Sequence, residues 1–275
     1  MADPIRPALP TDAATLPPLG DGFEASLDAC IRELGLADTL AADAAARASY
    51  EAHARLLREW GAAINLTAIR DPAEVARRHV CDSLTAVLPL AERLRPGASL
   101  LDLGSGSGYP GLPLAAAMPL QRVALLDSVA KKVRFLGVAA TAVRAALEVG
   151  GRDAPTLETI AERAEDLAQE PAHRASWAAV TARAIGSLAE VVELALPLLR
   201  EGGLAVAWKR EEARSGLRAE LRDAGSIIRA TGGGRPEVIE LTAPSLPGHR
   251  LVLVRKERAT PLLYPRPAGL RRRRR

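Results

Sequence analysis

Residues 100–111, LLDLGSGSGYPG, decide how this chain folds. An apolar run ends at this point, and glycines stand at positions 104, 106 and 108 before a segment with helical character. Because glycine carries no side chain, such a turn lets backbone N–H groups come close to a ligand. The stretch therefore predicts a strand, a glycine turn and the amino terminus of a helix.

A second carboxylate follows at the end of the next apolar run. Residues 123–126 read as a strand, and Asp127 stands directly after it. A carboxylate at the tip of the second strand can accept hydrogen bonds from both hydroxyls of a ribose. The turn and Asp127 together indicate a cofactor that contains adenosine.

Two cofactors fit this pattern. The spacing Gly-x-Gly-x-x-Gly over residues 106–111 matches the dinucleotide fingerprint, which is a weak signal when it stands alone. Pro110 and Pro113 remove N–H donors where a pyrophosphate would bind. Asp102 would repel that anion but would suit the cationic methionine end of S-adenosylmethionine. The sequence favours S-adenosylmethionine, with a ligand-free packing turn as the other interpretation.

The chain divides by composition into four parts. We expect a loose leader over residues 1–20, a helical region over 21–95, an α/β domain over 96–257 and a solvated basic tail over 258–275. Apolar spacing predicts helices within the second part, at residues 23–34, 41–64 and 71–93.

The third part alternates between strand and helix patterns. This predicts an α/β fold with a doubly wound, mostly parallel seven-stranded sheet. The last two strands lack a helix between them, which favours the antiparallel finish of the S-adenosylmethionine-dependent methyltransferase fold. The predicted strands lie at 98–103, 121–126, 156–160, 177–182, 203–209, 225–231 and 249–256.

Net charge and cysteine content indicate the compartment and the kinds of site that the chain can have. The formal net charge is +4, and the terminal run Arg271–Arg275 contributes +5, so the rest of the chain stands at −1. Cys30 and Cys81 have no zinc-ligand spacing, which argues against a metal site or a disulfide scaffold and fits a cytoplasmic protein. No apolar run reaches the length of about 20 residues that a membrane span needs.

Several motifs together resemble one bacterial family, the 16S ribosomal RNA guanine-N7 methyltransferases called RsmG or glucose-inhibited division protein B. The resemblance covers roughly residues 25–256. It rests on Arg78-His79-Val80-Cys81-Asp82-Ser83, the turn continued to Pro113-Leu114, Leu125–Ser128, Lys131–Leu136, Arg163–Asp166, Thr181–Ala184 and Lys209.

The resemblance implies a cytoplasmic enzyme that uses S-adenosylmethionine to methylate N7 of one guanine in 16S rRNA. Its partner would be that RNA, the small ribosomal subunit or an assembly intermediate. Asp127 would hold the ribose, and Ala164 and Glu165 would flank the adenine. The other cofactor-binding positions that it implies are Gly104, Gly106, Tyr109 and Arg183.

The chemistry of guanine N7 needs no general base, since this nitrogen carries a lone pair and no proton. Residues that position the reactants are then the ones to find. Arg183, Lys209 and His79 are the candidates, while His53, His173 and His249 read as structural. The basic residues Lys131, Lys132 and Arg134 suit either RNA phosphates or a solvated helix face.

Other functions stay open on the sequence alone. A methyltransferase of the same fold could act on another RNA or a small molecule, and a noncatalytic RNA-binding protein could retain the fold. An NAD-dependent oxidoreductase would need a proton donor such as Tyr-x-x-x-Lys, which the sequence lacks.

Overall fold

A single seven-stranded sheet organises the molecule. The computed structural model describes residues 8–210 and 216–271. The strand order is β3-β2-β1-β4-β5-β7-β6, in which β7 runs antiparallel to both of its neighbours and the others are parallel. The strands are β1 Ala98–Leu103, β2 Leu120–Leu126, β3 Thr156–Ile160, β4 Trp177–Arg183, β5 Leu199–Arg210, β6 Glu237–Glu240 and β7 His249–Arg255.

Helices cover both faces of this sheet, as the doubly wound prediction requires. The α-helices are α1 Asp21–Glu33, α2 Ala44–Ile64, α3 Pro72–Val75, α4 Asp82–Leu84, α5 Val87–Ala91, α6 Gly111–Ala117, α7 Ala130–Val149, α8 Ala164–Leu167, α9 Leu188–Leu198, α10 Leu217–Ala230 and α11 Ala268–Arg271. One hydrophobic cluster packs α2, α6 and α7 on one face, and a second packs α9 and α10 on the other.

The predicted strand at 225–231 is wrong. Residues 225–230 lie in the second half of α10, Thr231 follows as its C-cap, and the sixth strand is β6, Glu237–Glu240. The adjacent Ile227 and Ile228 suggested a strand, but Leu217, Ala224, Ile227 and Ile228 recur at helical spacing and are the buried residues of α10. The predicted antiparallel finish is confirmed by the pairing of β6 with β7.

The predicted helix at 71–93 is interrupted. Asp71 caps α3 by accepting a hydrogen bond from Glu74 N at 2.9 Å, and a π-helical turn, Ala76–Cys81, follows. A π-turn inserts an extra residue into the helical repeat and frequently marks a functional position. Here it carries His79 and leads directly into Asp82, so both side chains face β4.

The two cysteines are joined, against expectation. Cys30 on α1 and Cys81 in the π-turn form a disulfide with their Cα atoms 6.0 Å apart. Both residues are fully buried where α1 packs on the π-turn. Separation in sequence concealed the pair because tertiary packing of these helices brings the two positions together.

Both ends of the described chain pack on the body. Trp60 Nε1 donates to Pro10 O at 2.7 Å and Arg58 Nη2 to Pro17 O at 3.0 Å, so residues 8–20 are held against α2 instead of being loose. Most of residues 258–271, part of the predicted solvated tail, are exposed, but Arg266 anchors them by pairing with buried Glu193 through two ionic hydrogen bonds. The remaining tail residues, 272–275, lie outside the described residues, and the division at 20, 95 and 257 stays a prediction.

Within the residues that the structure describes, no helix is both long enough and apolar enough to cross a bilayer.

Candidate active site

The glycine turn leaves β1 at the carboxyl edge of the sheet, between β1 and β4 where the strand order reverses. Gly104 and Gly106 have φ values of 62° and 56°, which favour glycine. A Cβ on Gly104 would stand 2.5 Å from Ile185 Cγ2. The turn therefore needs glycine at position 104 both for its conformation and for its close packing on the loop after β4.

Asp127 lies beside this turn at the end of β2. Its carboxylate accepts hydrogen bonds from Gly106 N at 3.1 Å and from Val129 N at 2.9 Å. Lys132 Nζ lies 3.8 Å from Asp127 Oδ2. Asp127 thus fixes the turn and faces the same cavity as Gly104 and Gly106.

Asp102 has a different role from the one predicted. Its side chain is fully buried and accepts hydrogen bonds from Thr181 Oγ1 at 2.7 Å and Gly111 N at 3.2 Å. Burial raises the pKa of Asp102 to about 6. The carboxylate joins β1 to β4 and α6, so the prediction that it meets a cationic ligand is wrong.

Arg183, at the end of β4, is the centre of a polar cluster. Its guanidinium donates to Asp82 Oδ2 at 2.9 Å, to Arg78 O at 3.1 Å and to His79 Nδ1 at 3.3 Å. His249 Nδ1 donates to the other Asp82 oxygen at 2.8 Å. Although burial raises the pKa of Asp82, the hydrogen bonds from His249 and Arg183 hold it below its usual value.

Tyr109 stacks between two imidazoles beside this cluster. Its ring centroid lies 4.3 Å from that of His53 and 4.9 Å from that of His79, and the Arg183 guanidinium carbon lies 5.8 Å from it. The Tyr109 hydroxyl is buried and has no hydrogen-bond partner among the described residues. Burial also raises the pKa of this phenol. The hydroxyl is therefore a neutral donor without an acceptor among the described residues.

Both imidazoles are held neutral. His53 Nε2 donates to Ser107 O at 2.7 Å, and burial lowers the pKa of His53 to about 4. His79 Nε2 lies 2.9 Å from Thr67 Oγ1, and burial, followed by the charge of Arg183, lowers the pKa of His79 to about 3. Since Nδ1 of His79 accepts from Arg183, its proton is on Nε2.

These two histidines make stability depend on pH. A lowered pKa means that the folded state binds fewer protons than the unfolded state below pH 6.5, so stability is complete above that pH and is lost on acidification. Asp102, with its raised pKa, opposes part of this loss. We expect the free energy of unfolding to fall by about 2 kcal/mol between pH 7.5 and pH 5.5, measured by urea unfolding.

The variant His53→Gln is the control for this pH dependence, because the glutamine amide can still donate to Ser107 O. It should lose about two-thirds of the pH dependence, because each histidine contributes about 1.4 kcal/mol over this range and Asp102 opposes their sum. An unchanged slope in the variant would contradict the assignment of His53 as a buried neutral imidazole.

The turn, Asp127 and the Arg183 cluster surround one cavity of about 790 Å³. Of the predicted site residues, all but Lys209 line it, and they are Gly104, Gly106, Tyr109, Asp127, Ala164, Glu165, Arg183 and His79. Ala184, the residue after Arg183, has φ 58°, a strained value for a side-chain-bearing residue that recurs at binding sites. The sequence therefore identified eight residues that meet in the wall of one cavity.

Lys209 lines an adjoining cavity of about 660 Å³, at the end of β5 and the start of α10. Its ammonium donates to Glu220 Oε1 at 2.6 Å and to Gly186 O at 3.0 Å. Arg183, Asp82 and His249 line both cavities. Lys209 thus anchors α10 and the loop after β4, and it lines the second cavity only.

Two of the cavity-lining residues outside the predicted set contact other residues of the site. His249 was predicted to be structural, yet it pairs with Asp82. The antiparallel register places His249 opposite Arg210, so the first residue of β7 lies at the carboxyl edge of the parallel strands, and the predicted antiparallel finish was the available signal. Arg271 also lines the cavity, and no sequence signal indicated this position.

The residues that line the cavity fit a cofactor that contains adenosine. Gly104 and Gly106 bring the backbone to the cavity wall, Asp127 supplies acceptors for a ribose, and the buried Tyr109 hydroxyl has no hydrogen-bond partner among the described residues. Across residues 8–210 and 216–271, no three His, Cys, Asp or Glu side chains gather as a metal site would require.

A family model and curated relatives indicate the same family for this chain. The family model for GidB, rRNA small subunit methyltransferase G, matches residues 47–226. A curated ribosomal RNA small subunit methyltransferase G from Symbiobacterium thermophilum is 38% identical over 219 residues, covering 79% of this chain and 85% of the relative. One from Dehalococcoides mccartyi strain CBDB1 is 36% identical over 222 residues, covering 80% and 88%.

One solved structure shows the same fold. A chain in the complex between the Haloferax volcanii Trm112 methyltransferase activator and a methyltransferase is 15% identical, with a TM-score of 0.51, and the match covers 74% of this chain and 98% of that one. At this identity the likeness shows the methyltransferase fold alone. The family model and the long matches to curated relatives show that this chain belongs to the rRNA small subunit methyltransferase G family.

Proposed function

We propose that this chain transfers the methyl group of S-adenosylmethionine to N7 of a guanine in 16S ribosomal RNA. Family membership supports the reaction, and the cavity at the carboxyl edge of the sheet supports the site. When bound, the cofactor supplies an electrophilic methyl group on a positively charged sulfur. This chain's own residues would bind the cofactor and orient the base.

The cofactor would occupy the larger cavity. The Gly104–Gly106 turn, which has no bulky side chain at either glycine, would lie beside its amino-acid end, and Asp127 would accept hydrogen bonds from its ribose. Ala164 and Glu165, which line the cavity after β3, would flank the adenine. Tyr109 and Arg183 would close the side that faces the acceptor.

The guanine would enter from the second cavity. Arg183, Asp82 and His249 separate the two cavities and face both of them, which is the observation that carries the proposal. Arg183 and Asp82 neutralise each other, and both nitrogens of neutral His79 are engaged. This cluster can orient a base. Methylation at N7 requires only that the base be oriented toward the methyl group, because N7 has no proton to lose.

The RNA must present an unpaired base. N7 of guanine lies in the deep major groove of A-form RNA, where side chains cannot reach it. The target nucleotide would therefore be splayed out of its stack. Arg78, Lys132, Arg163 and Arg210 line the larger cavity and would contact the flanking phosphates, with a strong dependence on salt. We propose the small ribosomal subunit or its RNA as the partner.

The test is methyl transfer by the purified chain. Naked 16S rRNA and small subunits lacking the modification would be incubated with S-adenosylmethionine, and N7-methylguanine would be detected by borohydride reduction and aniline cleavage. We expect cleavage at one guanine in at least one of the two substrates. Saturable binding of NAD with no binding of S-adenosylmethionine, or methylation of another RNA only, would contradict the proposal.

A further inference from the structure

The C-terminal segment follows β7, passes the ends of α10 and α9, and ends at the larger cavity. This segment, residues 257–271, is called the strap here. It lies beyond residue 226, where the match to the family model ends, and it carries side chains into the cavity wall at Ala268 and Arg271. We propose that the strap is part of the cofactor site and closes its adenosine end. The inference rests on the proposed function.

The strap is fastened at its beginning by a buried lysine. Lys256 is 2% exposed, and its ammonium donates to Leu196 O and to Thr260 Oγ1. Thr260 Oγ1 in turn donates to Thr231 O at 2.6 Å. These bonds tie the first turn of the strap to the ends of α9 and α10.

An arginine outside the strap holds its middle. Arg174 Nη1 donates to Tyr264 O at 3.0 Å, and Nη2 donates to Thr260 O at 3.0 Å and Pro261 O at 3.2 Å. A single guanidinium thereby satisfies three carbonyls of the segment. The path of the strap is set by these bonds as well as by apolar packing.

Arg266 fixes the end of the strap. Its Nε and Nη2 donate to the two oxygens of Glu193 at 2.8 Å and 2.6 Å, and its backbone N–H donates to Glu193 Oε1 at 2.9 Å. Glu193, on α9, is 2% exposed. A buried carboxylate that depends on one arginine makes detachment costly, because the charge would be left unpaired.

This anchoring delivers Arg271 to Glu165. Arg271 Nη2 donates to Glu165 Oε1 at 3.0 Å, and Nη1 donates to Arg266 O at 3.1 Å. The two side chains are 10% and 14% exposed, so the ion pair is shielded from solvent. Glu165 is the residue proposed to flank the adenine, and Arg271 fixes its carboxylate while forming the wall beside it.

The strap forms a wall at the adenosine end of the cavity and does not fill the cavity. A cavity of about 790 Å³ remains with Ala268 and Arg271 in its lining. Loss of the wall would expose the adenosine end to water and free Glu165 to move. Arg271 is accordingly a positioning residue for Glu165, and the strap should slow release of the cofactor.

Two truncations separate the wall from the basic run that follows it. A chain ending at Pro267 lacks Ala268–Arg271, while a chain ending at Arg271 keeps them and lacks only the last four arginines. Binding of S-adenosylhomocysteine would be measured by calorimetry. We expect the chain ending at Pro267 to bind about 5- to 20-fold more weakly, and the chain ending at Arg271 to bind as the full chain does.

Substitutions test the contact without shortening the chain. Arg271→Ala should weaken binding by about 3- to 10-fold and Arg271→Lys by less, since lysine keeps the charge. A merely structural role would lower the thermal midpoint of the ligand-free protein and leave the dissociation constant unchanged. That result, or tighter binding after truncation at Pro267, would overturn the inference.

Binding by the full chain and by Asp127→Ala separates the role of the strap from the site itself. If the full chain binds S-adenosylhomocysteine and Asp127→Ala does not, the site stands, and equal binding by the truncated chain overturns only the role of the strap. If the full chain does not bind, the proposed site fails and the strap inference is overturned with it.

Discussion

Replacement of Asp127 by alanine is expected to weaken binding of S-adenosylhomocysteine by about 100- to 1000-fold. The carboxylate is placed to accept hydrogen bonds from two ribose hydroxyls, and bonds to a charged group contribute about 1.5–3 kcal/mol each. The same carboxylate holds Gly106 N and Val129 N, so its removal also loosens the glycine turn. Calorimetric titration of the purified variant measures the effect.

Two further variants control this experiment. Asp127→Asn keeps an acceptor but no charge, and we expect an intermediate loss. Asp153→Ala removes an exposed carboxylate in the loop before β3, outside the cavity, and should bind as the parent does. A loss below about fivefold in Asp127→Ala would contradict the ribose-binding role.

Replacement of Arg183 by alanine is expected to lower the turnover number by about 100- to 1000-fold, with a smaller change, under tenfold, in cofactor affinity. Arg183 lies where the two cavities meet, and its loss leaves the buried Asp82 carboxylate with His249 as the remaining partner at this point. The acceptor base would then meet a misplaced His79 and an excess negative charge. Single-turnover methylation of RNA measures the chemical step.

Rescue distinguishes positioning from folding at Arg183. Arg183→Lys retains the charge but cannot serve three acceptors, so it should recover part of the rate. Arg95→Ala removes an exposed arginine near the amino end of β1, at the opposite edge of the sheet, and should leave turnover unchanged. A lower thermal midpoint with an unchanged turnover number in Arg183→Ala would show that the residue serves only the fold.

Local chemistry explains why much of the site was predictable. A glycine turn after a buried strand, and an aspartate after the next strand, specify their own positions because the carboxyl ends of parallel strands meet at one edge. Gly104, Asp127, Glu165 and Arg183 all follow this rule, and all four line the cavity. Helical spacing likewise predicted α2, whose buried residues repeat along one face.

Other features depended on neighbours that are distant in the chain. Asp102 follows the pattern of a ligand-binding carboxylate in the sequence. In the structure, Thr181 on β4 and Gly111 at the start of α6 donate hydrogen bonds to its oxygens. Cys30 and Cys81 carry no spacing signal because the packing of α1 on the π-turn brings them together. Ile227 and Ile228 suit a strand by propensity, and the buried face of α10 makes them helical.

The sequence by itself determined the sheet class, the glycine turn and the aspartate beside it, because each depends on short-range backbone geometry. Only the tertiary structure decided which side chains meet across the cavity. Asp82 joins Arg183 and His249 from three separate segments, and Arg271 reaches Glu165 from the far end of the chain. Such contacts are set by how helices and strap pack on the sheet, and the packing is a property of the whole core instead of any local run of residues.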